Sequence, residues 1–330
     1  MTRRPRPLPT ELGAMFTPTQ ARAAGVTARR LRARDLEHPY RGLMVVRPER
    51  PLEEEQSDAD ATPFARDRAQ RKALLRRARE YRPLMVSHAF FVGRTAGVLH
   101  GLPLDPPEEL EVGVCAPHRA PRRRGIRGRK VAPGLVSIRE IDGLRVASPA
   151  STWAMLASEL SVRELVVVGD AIVHVPRDSW GRPQSTAALG TTAQLHAAVD
   201  AGRRPGLHRL REAITSIRVG SASPLETEYR LDAETAGLPE PELDVQIRES
   251  SGRLLGITEI VYRDLRVLVE IEGDHHRTSK TQWNRDIEKY AAYIADGWEL
   301  VRLTSSHIRG PNPRATEMVR AALMRHGWRP

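Results

Sequence analysis

Hydrophobic and polar positions follow two different periods along this chain, and the switches between them mark out its elements. Near the N terminus, Thr17 and Pro18 open a short helix over 18–24, because a hydroxyl can cap free N–H groups and proline is tolerated in the first turn. Gly25 ends it. Thr27 starts a second helix over 28–35, and YRGLMVV at 40–46 predicts a following strand, which together give helix, turn, helix and wing. EEEQSDAD at 53–60 is polar and acidic and reads as a linker. Beyond it the pattern predicts a helix over 65–82, a second over 87–104 stopped by Gly101 and Pro103, strands over 111–115 and 144–146, and a helix from Ser148 and Pro149 to Leu160. Gly, Ser and Pro then punctuate the chain near 202–209 and 219–224.

After Ser223 the pattern sharpens. A helix begins at Ser223 and Pro224 and stops at Gly237. In LLGITEIVY (254–262) and VLVEIEG (267–273) side chains alternate with period two. Ile257, Glu259 and Val261 therefore share one face of the first strand; Leu268, Glu270 and Glu272 share one face of the second, with Val267, Val269 and Ile271 opposite. The short Arg263–Asp264 connection makes the two strands an antiparallel hairpin. A helix over 281–296 carries Ile287, Tyr290, Ala291 and Ile294 at i, i+3, i+4 and i+7, and a strand over 298–304 and a helix over 313–326 close the chain.

Placing the two acidic faces side by side brings Glu259, Glu270 and Glu272 together. Carboxylates that close repel one another unless a cation or an arginine compensates, and oxygen ligands suit Mg2+ or Mn2+. The bland account is a solvated sheet face with scattered glutamates; against it, both strands are too apolar to lie open to water. Glu226 falls in the first turn of its helix, where the helix dipole favours a carboxylate, and a simple cap is the alternative.

Composition adds charge. The 330 residues carry a formal net charge of +11, and all but four of the 52 basic residues are arginine, a guanidinium excess that favours a polyanionic partner. Arg29, Arg30, Arg32 and Arg34 crowd the second helix of the head, and Arg119, Arg122, Arg123, Arg124, Arg127, Arg129 and Lys130 fall on a Pro- and Gly-containing stretch read as a mobile loop. In both places the alternative is a solvated surface. The head geometry points to DNA, with the second helix in the major groove. The single cysteine, Cys115, excludes an internal disulfide and a multi-thiolate zinc site. His88 and His100, twelve apart, match no metal-ligand spacing and read as core or surface histidines. No apolar run approaches a membrane span, and the N terminus has no apolar core behind its basic residues, so a cytoplasmic protein is expected.

Two resemblances extend this reading. The head with SHAFFVGRTAGVLHGLPL, DGLRVASPASTWAMLA and VVVGDAIVHV, over roughly residues 10–175, resembles the AbiEi-type proteins, antitoxins and regulators with a winged-helix head in type IV toxin–antitoxin systems. The segment from about 222 to 326, with EIEGDHHRT, the Arg285–Asp286 pair and GWELVRLT, resembles the Vsr-like domain of the PD-(D/E)xK nuclease superfamily. The expected fold class is α/β (α+β): a winged helix-turn-helix head at 8–50, an acidic linker at 51–63, a mixed α/β middle domain at 64–205 and a restriction-endonuclease-like domain at 220–330.

The second resemblance implies a metal held by Glu259, Glu270 and the Ile271 carbonyl, with Glu226 as the helix carboxylate. The cofactor expected there is Mg2+ or Mn2+; the first resemblance implies DNA as partner, and the arginine-rich head and loop are expected to contact it through Arg29, Arg30, Arg32, Arg34, Arg122, Arg123, Arg124 and Arg127. The sequence departs from the family pattern twice: Glu259 stands where Asp is usual, and Glu272 replaces the E-x-K lysine. His275, His276 or Lys289 is then expected to supply the proton donor or base. The implied function is a DNA-binding, divalent-metal-dependent endonuclease in phage defence or DNA repair; the alternative is a non-catalytic AbiEi-type antitoxin or transcriptional regulator with a degenerate nuclease fold.

Overall fold

The computed structural model describes residues 5–47, 65–178, 180–272 and 280–330. Among the described residues the chain is mixed α/β with three sheets. Its residues fall into two compact units, one reaching to Ser148 and the other from Pro149 to Pro330, with Leu102–Leu104 belonging to the second. Among the described residues no helix is long and apolar enough to cross a membrane.

The first unit opens with β1 (Met15–Phe16), α1 (Pro18–Ala23), β2 (Leu36–Glu37) and β3 (Met44–Val46), its sheet ordered β1-β3-β2. Thr17 and Gln20 cap α1 reciprocally: the Gln20 N–H donates to the Thr17 hydroxyl at 3.2 Å and the Thr17 N–H to Gln20 Oε1 at 2.8 Å. The helix expected over 28–35 does not form; a single 3-10 turn at Arg30–Arg32 takes its place. The reason is packing. Leu31 and Leu36 both enter the core with Phe16, Ala21 and Met44, and in a helix they would stand about 140° apart. A tight turn followed by extended chain sends both inward, and Arg30 fixes it by donating to both carboxylate oxygens of Asp35 at 2.9 and 2.6 Å.

Next come α2 (Ala65–Tyr81), β4 (Phe90–Phe91), α3 (Gly93–His100), β5 (Leu110–Cys115), β6 (Ile126–Val131), β7 (Ile138–Ile141) and β8 (Leu144–Ala147), with sheet order β6-β5-β4-β8-β7. The helix expected over 87–104 is thus shorter, its start being the buried strand Phe90–Phe91. The stretch read as a loop to residue 130 is a strand from Ile126, paired in parallel with β5. Buried Glu111 organises this region. Its carboxylate accepts from the Arg94 N–H at 2.5 Å and from Arg129 at 2.6 Å, and Gly93, at φ 56°, leaves it room where any Cβ would collide with the carboxylate. His100 is buried against the Ala147 carbonyl, and His88 stacks on His118.

The second unit begins with four helices, α4 (Pro149–Leu156), α5 (Val162–Val173), α6 (Thr192–Asp200) and α7 (Leu207–Ala213), around a core containing Trp153, Leu165, Leu195 and Leu210. Then follow α8 (Pro224–Thr235), β9 (Glu242–Arg248), β10 (Leu254–Tyr262), β11 (Val267–Glu272), α9 (Lys280–Ala295), β12 (Glu299–Thr304), α10 (Ser305–Arg309) and α11 (Ala315–Arg325). The sheet runs β12-β11-β10-β9, antiparallel except for the parallel β11–β12 pair. One face packs Ile260, Val269 and Leu303 against Tyr229 of α8 and Val319 and Leu323 of α11; the other packs Val261 and Leu268 against Tyr293 of α9. β9 had no counterpart in the sequence reading, although Leu243, Val245 and Ile247 alternate.

Helix α9 turns differently from expectation. Tyr290 and Tyr293 face the sheet, whereas Ile287 and Ile294 are 51% and 63% exposed. Tyr293 is buried with Val261 and Leu268, and Tyr290 packs partly buried against the same cluster.

Candidate functional site

The β10–β11 ladder pairs only Tyr262 with Val267, Val261 with Leu268 and Ile260 with Val269. Beyond Ile260 the two strands part, and a cleft of about 180 Å³ opens between them. Backbone polar groups freed at such a fork need new partners. Glu259 supplies one, its Oε2 accepting the Ile271 N–H at 2.7 Å. The fork also breaks the strict alternation expected for β10. Thr258 faces Glu270 with its hydroxyl, yet Ile260, two residues on, packs into the opposite core with Tyr229.

Glu270, on β11, accepts hydrogen bonds from the Thr258 hydroxyl and from Lys289 Nζ at 3.1 Å. Lys289 comes from α9, the helix turn that also presents Asp286 and Tyr290 to the cleft. Glu226 enters from the first turn of α8. Its Oε2 accepts the Ala222 N–H at 2.7 Å, and its own N–H reaches Ser223 Oγ at 3.3 Å, so the carboxylate closes the helix start and lines the cleft as well. Asp244, on β9 at φ 52°, completes the acidic wall and is held by Arg177 at 2.7 Å. Glu272 pairs with Arg302, whose guanidinium lies over the Tyr290 ring, 5.1 Å from its centroid.

Burial and mutual repulsion set the electrostatics. Burial, with Asp244 and Glu270 nearby, pushes the Glu226 carboxyl up to about 7. Burial again, then the charges of Glu226 and Glu270, push Glu259 up to about 9, against the pull of the Ile271 N–H and Lys289. Glu259 therefore holds its proton at neutral pH, chiefly because it is buried and next because the neighbouring carboxylates outweigh the pull of Lys289. Hard oxygen donors with such a charge deficit fit a divalent cation such as Mg2+ or Mn2+. Among the described residues no three His, Cys, Asp or Glu groups stand close enough to hold a metal ion.

Of the residues singled out from sequence, Glu226, Glu259, Glu270, Ile271, Glu272 and Lys289 all line this one cleft. His275 and His276 lie outside the described residues. Sequence reasoning missed Thr258, Asp244 and the Arg302 partner of Glu272. Arg302 stands opposite Glu270 in the parallel β11–β12 register yet pairs with Glu272 two residues on, a relation that needs the strand pairing to be known.

The proposed nucleic-acid contacts are spread more unevenly. Arg29, Arg32 and Arg34 are exposed on the head, whereas Arg30 is tied to Asp35. Arg122 and Arg124 are exposed, Arg123 donates to the Arg41 carbonyl, and Arg127, 62% exposed, lies 3.8 Å from Glu111. The sequence matches no protein-family model. It matches no curated protein either.

Proposed function

We propose that residues 220–330 form a PD-(D/E)xK-type nuclease domain that hydrolyses phosphodiester bonds with Mg2+ or Mn2+, on DNA held by the basic N-terminal part of the chain, in phage defence or DNA repair. The observation that carries this reading is the meeting of Glu259 and Glu270, from strands that part at this point, with Lys289 Nζ 3.1 Å from the Glu270 carboxylate. In this reading Glu259, Glu270 and the Ile271 backbone hold the ion, with Glu226 behind them. When bound, the ion activates water and steadies the charge that develops on the phosphate. Lys289 stands in for the missing E-x-K lysine: it carries a proton at Nζ beside Glu270, approaching from the helix instead of from β11. Glu272, at the lysine's position in the motif, is neutralised by Arg302 and does not add to the repulsion within the cluster.

Plasmid DNA incubated with the full chain and Mg2+ or Mn2+ tests this. Glu259→Ala, Glu270→Ala and Lys289→Met should each lower cleavage by about a hundredfold or more, the scale on which a lost electrostatic or acid–base contribution is felt. Cleavage that persists in both glutamate variants would refute the site. The second reading, a non-catalytic AbiEi-type regulator or antitoxin with a degenerate nuclease fold, is favoured by one observation, the Glu272–Arg302 pair where the motif lysine would stand. Under it the unaltered chain binds DNA and leaves it intact with either metal.

A further inference from the structure

Two stretches that lie far apart in sequence form one basic surface in the first unit. Tyr40, in the turn before β3, packs its ring against Tyr81 at the end of α2, 5.1 Å between centroids, and both rings are buried. Arg123 crosses from the loop before β6 and donates to the Arg41 carbonyl, and a Cβ at Gly125 would touch the Tyr40 ring at 3.6 Å. The turn of the head and the loop before β6 are thereby joined. Their exposed arginines are Arg41, Arg119, Arg122 and Arg124, followed on the edge strand by Arg127. The acids beside it are already paired: buried Glu111 with Arg129, Glu80 near Tyr40 with Arg76, and Glu37 with Arg47.

We infer that this composite ridge, rather than a recognition helix in the head, is where the chain grips nucleic acid, and that it grips the phosphate backbone of a duplex without reading base sequence. Three features carry the inference. The segment that would enter a major groove is a three-residue 3-10 turn whose Arg30 is committed to Asp35, so the second element of the head is not a helix that could lay side chains along base edges. The ridge offers guanidinium groups, which pair with phosphate oxygens two at a time. Its two tyrosine rings, Tyr40 and Tyr81, are buried and offer no face on which unpaired bases would stack. The inference rests on the reading that the chain acts on nucleic acid, and it is independent of cleavage.

The test is fluorescence anisotropy with the full chain in EDTA, across a salt series. The probes are a labelled DNA duplex of about 30 base pairs in two unrelated sequences, the matching RNA duplex, the single strand, and anionic vesicles. A triple variant, Arg41→Gln with Arg122→Gln and Arg124→Gln, is compared with Arg29→Gln, Arg32→Gln and Arg34→Gln in the head. The ridge variant should weaken duplex binding about tenfold or more on both sequences alike and reduce the log–log salt slope by about 2 to 3, near 0.9 for each lost phosphate contact. Its thermal melting should stay unchanged. Tighter binding to one duplex type identifies DNA or RNA as the source of the backbone. The inference is overturned if the head variant abolishes binding while the ridge variant does not, if the two sequences differ by more than about tenfold, or if the single strand or the vesicles bind better than duplex. A chain that binds none of these probes overturns the nucleic-acid reading itself.

Discussion

Glu259 is held in two opposing ways: its carboxylate accepts the Ile271 N–H, which favours charge, and sits buried beside Glu226 and Glu270, which opposes it. The second effect prevails, lifting the group from the ordinary carboxylate range to about 9. The sign follows from linkage. Between the unfolded value and about 9 the folded chain keeps a proton that the unfolded chain releases, so stability is greatest below the unfolded value and declines as pH rises through the folded one. Thermal melts in a chelator should therefore show a falling midpoint from mildly acidic to alkaline pH. Glu259→Gln, which keeps an acceptor for Ile271 and has no charge to bury, should flatten that decline and melt higher than the parent at alkaline pH. A parallel pair of curves would show that Glu259 is not the group responsible. The carboxylate pattern itself was legible in the alternation of LLGITEIVY and VLVEIEG. What the alternation did not reveal was the fork after Ile260, because period-two reasoning assumes an unbroken ladder, whereas the β10–β11 pairing ends there while the β10–β9 pairing continues.

At the scale of elements, α9 and the head turn show how burial chooses among faces that a sequence offers equally. The i, i+3, i+4, i+7 series through Ile287, Tyr290, Ala291 and Ile294 is a sound amphipathic pattern, yet the helix is rotated so that Tyr290 and Tyr293 meet Val261 and Leu268. Aromatic rings bury more surface than isoleucine does, so the rotation that covers them gains more. Tyr293→Ala should then cost about 3–5 kcal/mol, and the double change Ile287→Ser with Ile294→Ser no more than about 0.5 kcal/mol per site; urea unfolding would reverse the assignment if the isoleucine pair proved the costlier. The same rotation brings Lys289 over the cleft, one residue before Tyr290. In the head, Thr17, Pro18 and Gln20 specify α1 locally, whereas the second element is decided by where Leu31 and Leu36 must both go.

Over the whole second unit, the four-helix group and the sheet domain are joined by a buried ion pair. Asp170 of α5 accepts from Arg230 at 2.8 Å and Thr227 at 2.9 Å of α8, and from the Arg218 N–H at 2.8 Å. Both charges are almost fully buried. Removing one partner leaves the other uncompensated, so Asp170→Ala should destabilise the unit by about 3–5 kcal/mol. Because α8 also carries Glu226, the loss should appear in the sheet domain and the helices together, as one cooperative transition; two separated transitions would show that they unfold independently.

The sequence by itself determined the mixed α/β class, the capped starts of α1 and α8, most of the strand and helix order after Ser223, and the acidic and basic residues available for chemistry. These follow from local rules of periodicity and capping that hold wherever a segment finally packs. Only the tertiary structure decided that Lys289 reaches Glu270, that Arg302 neutralises Glu272, that the head has a turn in place of a second helix, and that Arg41 joins the loop before β6. Each of these depends on which distant surfaces are buried against one another, a competition between segments that no single segment encodes.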